Sequence, residues 1–408
     1  MSNRSDDRLA HVPSLDGVRA IAAYCVIATH AGFNSGRSLD DGPFAPVLAR
    51  LDFGVTLFFL LSGYLLFQPY VAAEVAGTAR PNVASFWWRR VLRILPAYWM
   101  AVTFTLLLLS TRRARGDDWW SYLVLVQTYN GHNVDPSLTQ MWTLAVEIAF
   151  YAVLPFLGVI GAHLSGKRSA VAGQLRLIGG LMLAGLLGNL IARAISGDAS
   201  TGLLWLPAYL DWFGLGMFLA LARCVAAEGH PWRRTLGAWA SAPGTCWVIG
   251  ALLFWSATLP LAGPRTLVPA SGWEWTIRHY LYGGAAFFFL LPIMLAEAGW
   301  IRRILGNTVA RWLGAISYGV YLWHLALLLA IQRWLGWRTF GGHFTELFLL
   351  AAICSTVVAG LSWHLIERPL LRRFSHPWRT KAQPSKDENA QRQQANDLHP
   401  TAATERVG

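Results

Sequence analysis

Three ionisable side chains of this 408-residue chain lie inside strongly apolar stretches. The stretch LDGVRAIAAYCVIATH carries Arg19 and His30, and MWTLAVEIAFYAVLP carries Glu147. Eleven helical residues make about three turns and about 16 Å, so Arg19 and His30 are expected on one helix face at different depths. Glu147 follows Trp142, the start of its apolar run, by five residues. This spacing predicts Glu147 at the depth of His30, where a carboxylate could orient the imidazole as a general base.

Each of these three residues also has a structural alternative. His30 could form a hydrogen bond across helices, and Glu147 could bond Tyr151 one turn later. Arg19 either belongs to an anion site or extends its charge to the membrane interface.

A second group of basic residues lies in the segment FWWRRVLRILP. Arg89 and Arg93 are four residues apart on one predicted helix face, with Arg90 beside them. Guanidinium groups arranged in this way suit the oxygens of a phosphate. The same cluster is also typical of a helix end that faces the cytoplasm.

Two further segments carry polar groups within apolar surroundings. SYGVYLWH contains Tyr318 and His324, and FGVTLFFLLSGYLL contains Ser62 next to Gly63. His324 lies too far from the ends of its run to belong to an interfacial aromatic belt. The pair Ser62–Gly63 indicates close contact between helices, because small residues let helix backbones approach each other in membranes.

These residues require a membrane-embedded helical scaffold. The chain is 54% hydrophobic and 14% charged, whereas soluble domains carry about 25% charged residues. Apolar runs long enough to span recur along the chain and exceed the roughly ten-residue strands of a membrane barrel. The prediction is an all-α polytopic membrane protein with about ten transmembrane helices, and segment 119–131, which is too short to span, lies at an interface or re-enters. The predicted spans are 17–34, 53–73, 94–110, 142–162, 175–195, 203–222, 244–262, 279–297, 312–332 and 345–366.

The distribution of charge predicts the orientation. The net charge is +12, but the basic residues form short clusters between apolar runs, which argues against nucleic-acid binding. Of the 34 Lys and Arg residues, 24 fall in one set of alternate loops and the terminal segments, and 10 in the other. The richer set faces the cytoplasm in a plasma (inner) membrane protein, which puts both termini inside. The four widely spaced cysteines indicate neither a disulfide scaffold nor a metal site.

The motifs quoted above, followed by IERP, resemble in their order the membrane-bound acyltransferase family 3, over about residues 12–372. This family includes bacterial O-antigen acetylases and macrolide acyltransferases, and actinobacterial relatives of this size include an acetyltransferase of trehalose monomycolate. The resemblance implies a membrane acyltransferase domain over 1–374. The polar segment 375–408 is predicted to be a disordered cytoplasmic tail. The sequence departs from the family pattern at Ile148, where relatives have a second acid, and at Thr143, where they have Ser.

The resemblance also implies a reaction. Acyl-CoA, most simply acetyl-CoA, would be the co-substrate on the cytoplasmic side, with no permanently bound cofactor, and a hydroxyl of a cell-envelope glycan or glycolipid would be the acceptor. The site residues predicted on both grounds are His30 and Glu147 for catalysis, Arg19, Arg89 and Arg93 for acyl-CoA, and Tyr318, His324 and Ser62 for the substrate and its oxyanion. A transporter or lipid flippase that relays protons through intramembrane Arg, His and Glu is the alternative. The sequence shows none of the internal repeats common in transporters.

The predicted orientation can be tested with reporter fusions. A topology reporter fused after residue 374 should show that this position lies in the cytoplasm, because the Arg-rich loops stay inside. A reporter fused near residue 268 should show that this position lies outside. The reverse pattern would put the arginine cluster on the outer side and contradict the predicted acyl-CoA site.

Overall fold

The structure is a computed structural model, which describes residues 12–109, 116–129, 135–165, 169–196, 204–227, 232–265, 270–295 and 299–374. These residues form helices and no strand, and a helix of 15 to 27 residues lies at each predicted span. The predicted tail 375–408 lies outside the described residues. The long helices are α1 (Ser14–Ser35), α2 (Phe53–Ala76), α3 (Val83–Phe104), α4 (Trp142–Ser165), α5 (Ala170–Ser196), α6 (Leu210–Ala227), α7 (Pro243–Ala257), α8 (Gly272–Leu295), α9 (Thr308–Trp334) and α10 (Phe344–Ser362).

The lengths and compositions of these helices confirm a multi-pass membrane protein. Eight described helical segments are long and apolar enough to cross a bilayer, and a short helix joined to α7 at a 74° bend makes a ninth. The remaining predicted span, α1, carries Asp16, Arg19 and His30. Because α1 packs against α2, α9 and α10, its polar side chains face other helices rather than lipid.

The helices divide into a more buried and a more exposed group. In their most apolar stretches, 78% of the residues of α2, α6 and α9 are buried, but only 28% in α5 and α10. Glycines allow the backbones of the buried helices and of their neighbours to approach closely. A Cβ at Gly63 of α2 would collide with the Phe213 carbonyl oxygen of α6, and one at Gly314 of α9 would collide with the Asp16 carbonyl oxygen of α1. The close contact predicted at Ser62–Gly63 is therefore confirmed.

Several spans begin earlier than predicted, and two of these differences affect the candidate site. Helix α3 begins at Val83 rather than at residue 94, because the Asn82 side chain caps it by accepting from the Ser85 amide at 2.8 Å. Arginines interrupt the apolar run there without ending the helix. The fourth span begins with a 3₁₀ turn, Pro136–Met141, that leads directly into α4. This turn adds six residues before Trp142.

The segment predicted to be too short to span is indeed short where it is described. It forms the helix Gly116–Leu123, which packs against α3. The Tyr98 hydroxyl donates to the Tyr122 carbonyl at 2.5 Å, and the Trp99 indole donates to the Leu123 carbonyl at 3.0 Å. Residues 130–134, which include the end of this segment, lie outside the described residues.

Candidate active site

A cavity of about 330 Å³ opens among α1, α2, α3, α4 and α9. We call it the inner cavity. Three guanidinium groups line it, and the lining carboxylates are those of Asp16 and Glu147. The excess of positive charge suits an anionic ligand. The polar and charged side chains at its wall are Asp16, Arg19, Ser62, Arg90, Arg93, Thr143, Glu147, Tyr151, Tyr318 and Tyr321.

Glu147 is held inside this cavity by two hydroxyl groups. The Ser62 hydroxyl donates to Oε1 of Glu147 at 2.5 Å, and the Tyr151 hydroxyl donates to the same oxygen. No hydrogen bond among the described residues joins Glu147 to His30, and the two side chains line different cavities, so the structure does not bring the predicted pair together. The cause is the start of the span, because the turn from Pro136 to Met141 sets Glu147 deeper than a span beginning at Trp142 would. Ser62, predicted to face the substrate, is a partner of this carboxylate.

The arginines of α3 are arranged differently from the prediction. Arg90 lines the inner cavity, and its Nε is buried without a hydrogen-bond partner. Arg89 does not line the cavity, and its Nη1 donates to the Ser85 hydroxyl at 2.8 Å. Residues spaced i, i+3 share a helix face as readily as residues spaced i, i+4. The pair that faces the cavity is therefore Arg90 and Arg93, and the prediction for Arg89 is corrected.

Arg93 is fixed by contacts to two other helical segments. Its Nη2 donates to the Ala315 carbonyl at 3.0 Å, its guanidinium lies 4.7 Å from the centre of the Trp363 ring, and Nη1 is 3.7 Å from Glu367. Glu367 is 2% exposed and also accepts from the Ser362 hydroxyl at 3.1 Å. It ends a π-helical turn, Trp363–Glu367, and is the acid of the IERP motif, to which the sequence assigned no role.

A second cavity, of about 610 Å³, lies at the other end of α1. We call it the outer cavity. As predicted for residues at different depths, His30 lines this cavity, whereas Arg19 lines the inner one. The wall of the outer cavity combines aromatic rings with polar side chains, as is usual for a small-molecule site. The polar and aromatic residues include Asn34, Asp52, Gln140, Trp142, Tyr209, Trp212, Trp275, Arg278, His279, Tyr282 and Tyr321.

The neighbour of His30 is a second histidine rather than a glutamate. The ring centroids of His30 and His324 are 5.2 Å apart. His324 is fully buried, its Nδ1 contacts the Tyr321 carbonyl at 2.7 Å, and its Nε2 has no hydrogen-bond partner among the described residues. A proton on Nδ1 of His324 satisfies that carbonyl and leaves Nε2 as an acceptor. The carboxylate that lines the outer cavity together with His30 is that of Asp52.

Tyr318 and His324 do not form one oxyanion site. Tyr318 lines the inner cavity and donates its hydroxyl to the Ile94 carbonyl at 3.0 Å. His324 lies against His30 at the level of the outer cavity. The hydroxyl proton of Tyr318 is therefore already used in a bond to the backbone of α3.

The two cavities adjoin each other, and we call the part of the wall that they share the neck. Among the described lining residues, Val55 and Tyr321 belong to both walls. The Tyr321 hydroxyl lies 2.7 Å from the Thr143 hydroxyl and 3.2 Å from the Gln140 carbonyl oxygen. The Phe58 ring meets the Tyr321 ring edge-on at 5.7 Å. These contacts hold Tyr321 in place between the cavities.

A further polar pair at the outer cavity was missed from the sequence. His279 Nε2 lies 2.8 Å from Asp211 Oδ2, and both side chains are buried. The imidazole is stacked on Trp212 at 4.2 Å and on Trp275 at 5.0 Å. Asp211 and His279 both lie inside predicted spans, so the rule that drew attention to His30 and Glu147 would also have found them.

The contact between Arg93 and Glu367 gives a stability prediction. We expect Glu367→Gln to lower the free energy of unfolding by about 3 kcal/mol, because it leaves a buried guanidinium charge without its partner. Adding Arg93→Met should recover part of the loss. Thermal loss of helical signal in detergent measures both effects.

The matched control is Glu74→Gln. Glu74 lies 3.5 Å from Arg80, whose side chain is 43% exposed, and such surface pairs contribute about 0–1 kcal/mol. Equal losses of stability in the Glu74 and Glu367 variants would contradict a buried structural pair at Arg93.

Comparisons with known proteins agree with this architecture. A family model described as an acyltransferase domain matches residues 12–364. The chain is 26% identical over 396 residues to the "Putative peptidoglycan O-acetyltransferase YrhL" of Bacillus subtilis, covering 88% of this chain and 55% of that protein. It is 25% identical over 384 residues to the peptidoglycan O-acetyltransferase OatA of Listeria monocytogenes, covering 88% and 56%. The chain thus spans about half the length of these relatives. The match over nearly all its helices makes it a member of the membrane-bound acyltransferase family 3.

Proposed function

We propose that the protein is an O-acyltransferase that moves an acyl group, most simply acetyl, from acyl-CoA to a hydroxyl of a cell-envelope glycan or glycolipid. The observation that carries this proposal is the pair of adjoining cavities, one rich in arginine and one lined by His30 and aromatic rings. Two substrates of different charge could approach from opposite sides and react at the neck. We further propose that the membrane is the plasma (inner) membrane, with the inner cavity facing the cytoplasm.

The inner cavity suits the donor. The phosphates of CoA are anions, and Arg19 and Arg90 make no hydrogen bond with another described side chain or carbonyl. Arg93 contributes charge while remaining attached to Glu367 and the Ala315 carbonyl. Acyl-CoA acts here as a co-substrate that leaves after each turnover, and the proposed chemistry needs no permanently bound cofactor.

The neck lets the donor reach the base. A thioester carried on the extended pantetheine arm would pass between Val55 and Tyr321, which line both cavities. This passage matches the length of α1, because Arg19 and His30 lie about 16 Å apart along a helix of regular rise. The phosphates stay in the inner cavity while the acyl carbon reaches His30.

His30 is the proposed general base. Its imidazole would take the proton of the acceptor hydroxyl, whose oxygen then attacks the thioester carbonyl carbon. The carbon–sulfur bond breaks, and the imidazolium returns the proton to the leaving CoA thiolate. Asp52 lines the same cavity as His30, and its negative charge would stabilise the imidazolium. Glu147 would act from the inner cavity, where it orients Ser62 and Tyr151 and offsets part of the arginine charge.

The outer cavity suits a sugar acceptor. Its aromatic walls offer apolar surface, and Asn34 and Gln140 line it as well. Pockets of this composition use their few polar groups to orient a ligand. The names of the relatives point to peptidoglycan as their acceptor, and for this chain we propose the broader class of cell-envelope glycans and glycolipids.

The decisive experiment removes the base. We expect His30→Ala to lower acceptor-dependent release of CoA from acetyl-CoA by at least about a hundredfold, because general-base catalysis contributes about 10²–10⁴-fold. Binding of acyl-CoA should persist, since His30 does not line the inner cavity. A thiol reagent measures the CoA released by purified protein.

The control is His163→Ala, an exposed histidine in the last turn of α4. It should release CoA at the wild-type rate. Normal turnover in the His30 variant would overturn the mechanism. A wild-type protein that never cleaves the thioester, but moves a lipid or sugar across liposomes, would instead support the transporter alternative.

Neighbouring arginines provide a matched test of the donor site. We expect Arg90→Gln to raise the KM for acyl-CoA by roughly tenfold to a hundredfold, because losing a hydrogen bond to a charged group costs about 1.5–3 kcal/mol. Arg89→Gln should leave that KM nearly unchanged, since Arg89 bonds Ser85 and does not line the cavity. Steady-state kinetics on both variants give the comparison. Equal increases in KM would assign both arginines to a general electrostatic role.

A further inference from the structure

One cation in the wall of the outer cavity has no bonded partner among the described residues. Arg278 of α8 lines the cavity and is partly buried. It forms no hydrogen bond or ion pair with another of the described residues. Glu274, one turn earlier on the same helix, instead accepts from the Ser271 amide at 2.7 Å. An arginine without a partner in a partly dehydrated wall is available to bind an anion.

The carboxylates around this cavity have other partners. Asp52 accepts from the Tyr282 hydroxyl at 2.6 Å and lies near buried Arg50. Asp211 contacts His279 at 2.8 Å. The positive charge of Arg278 is therefore not neutralised by an ion pair to either acid in the described part of the cavity wall.

The position of Arg278 in the chain supports a role in binding. In the predicted topology it lies near the outer end of α8, where the positive-inside rule gives no reason for an arginine. The guanidinium is planar and offers paired donors that match the two oxygens of a carboxylate or phosphate. Aromatic rings of the same cavity wall, including Trp142 and Tyr209, add apolar surface against which a sugar ring could pack.

We infer that the acceptor is an anionic carbohydrate whose carboxylate or phosphate binds Arg278 while its reacting hydroxyl lies at His30. This inference rests on the proposed function and narrows its substrate class. Both residues line the same cavity, so one molecule can contact them together. An uncharged sugar would leave the guanidinium without a partner and bind more weakly.

The test uses three matched disaccharides: galactobiose, digalacturonate and a galactobiose monophosphate. Radiolabelled samples are dialysed to equilibrium against the full chain in detergent. At least one anionic probe should bind wild-type protein roughly tenfold or more tightly than galactobiose, as expected for a charge-assisted hydrogen bond. Arg278→Gln should remove that preference and leave galactobiose binding unchanged. The probe that shows the preference identifies the carboxylate or the phosphate as the ligand group.

The matched control is Arg265→Gln, an arginine that bonds the Asp40 carbonyl at 3.2 Å and does not line the cavity. The Arg265→Gln variant should still bind the anionic probe more tightly than galactobiose. Equal binding of all three probes, no binding of either anion, or a preference that survives Arg278→Gln would overturn the inference. Acetyl transfer from acetyl-CoA to the bound probe is measured separately. Charge-selective binding without transfer would leave the anion site standing and count against the proposed function.

Discussion

The constraint on which this structure depends is that a charged group inside a bilayer must be neutralised or hydrated within the protein. Helices α1, α3 and α4 carry Arg19, Arg90, Arg93 and Glu147 at membrane depth. A bundle that exposed these groups to lipid would be unstable, so the helices enclose them around a polar cavity. The cavity thus keeps these charged groups away from lipid, and it is also the candidate site.

The same constraint explains the buried ion pair between Arg93, which lines this cavity, and Glu367. Arg93 of α3 pairs with Glu367, which lies just after the end of α10. The π-helical turn Trp363–Glu367 brings the carboxylate within 3.7 Å of the guanidinium. The Trp363 ring covers one face of the guanidinium. A helix interrupted at this point supplies both an acid and an aromatic ring from five consecutive residues. The IERP motif therefore has a physical role, which is to hold an arginine of α3 against the end of α10.

The sequence predicted the helices well and the site in part. Apolar runs located all ten long helices, because bilayer thickness fixes how many apolar residues a span needs. The first residues of the spans were predicted less accurately, because the cap at Asn82 and the turn that begins at Pro136 extend α3 and the fourth span beyond their apolar runs. That error in length carried over to the depth of Glu147 and to its predicted pairing with His30, which the structure does not bring together. The choice between Arg89 and Arg90 depends on the rotation of α3, which the spacing of arginines alone does not determine.

The separation of the two cavities has a chemical consequence for the proposed reaction. Positive charge near a general base lowers its basicity, and repulsion between unit charges weakens with distance. Three arginines line the inner cavity, while His30 lies beyond the neck in a cavity whose wall includes the carboxylate of Asp52. His324, bonded through Nδ1 to the backbone, is a neutral neighbour in this arrangement. The phosphate site can thus be strongly cationic without lowering the basicity of His30 as much as adjacent arginines would, because Val55 and Tyr321 stand between them. A single shared cavity would not allow both properties at once.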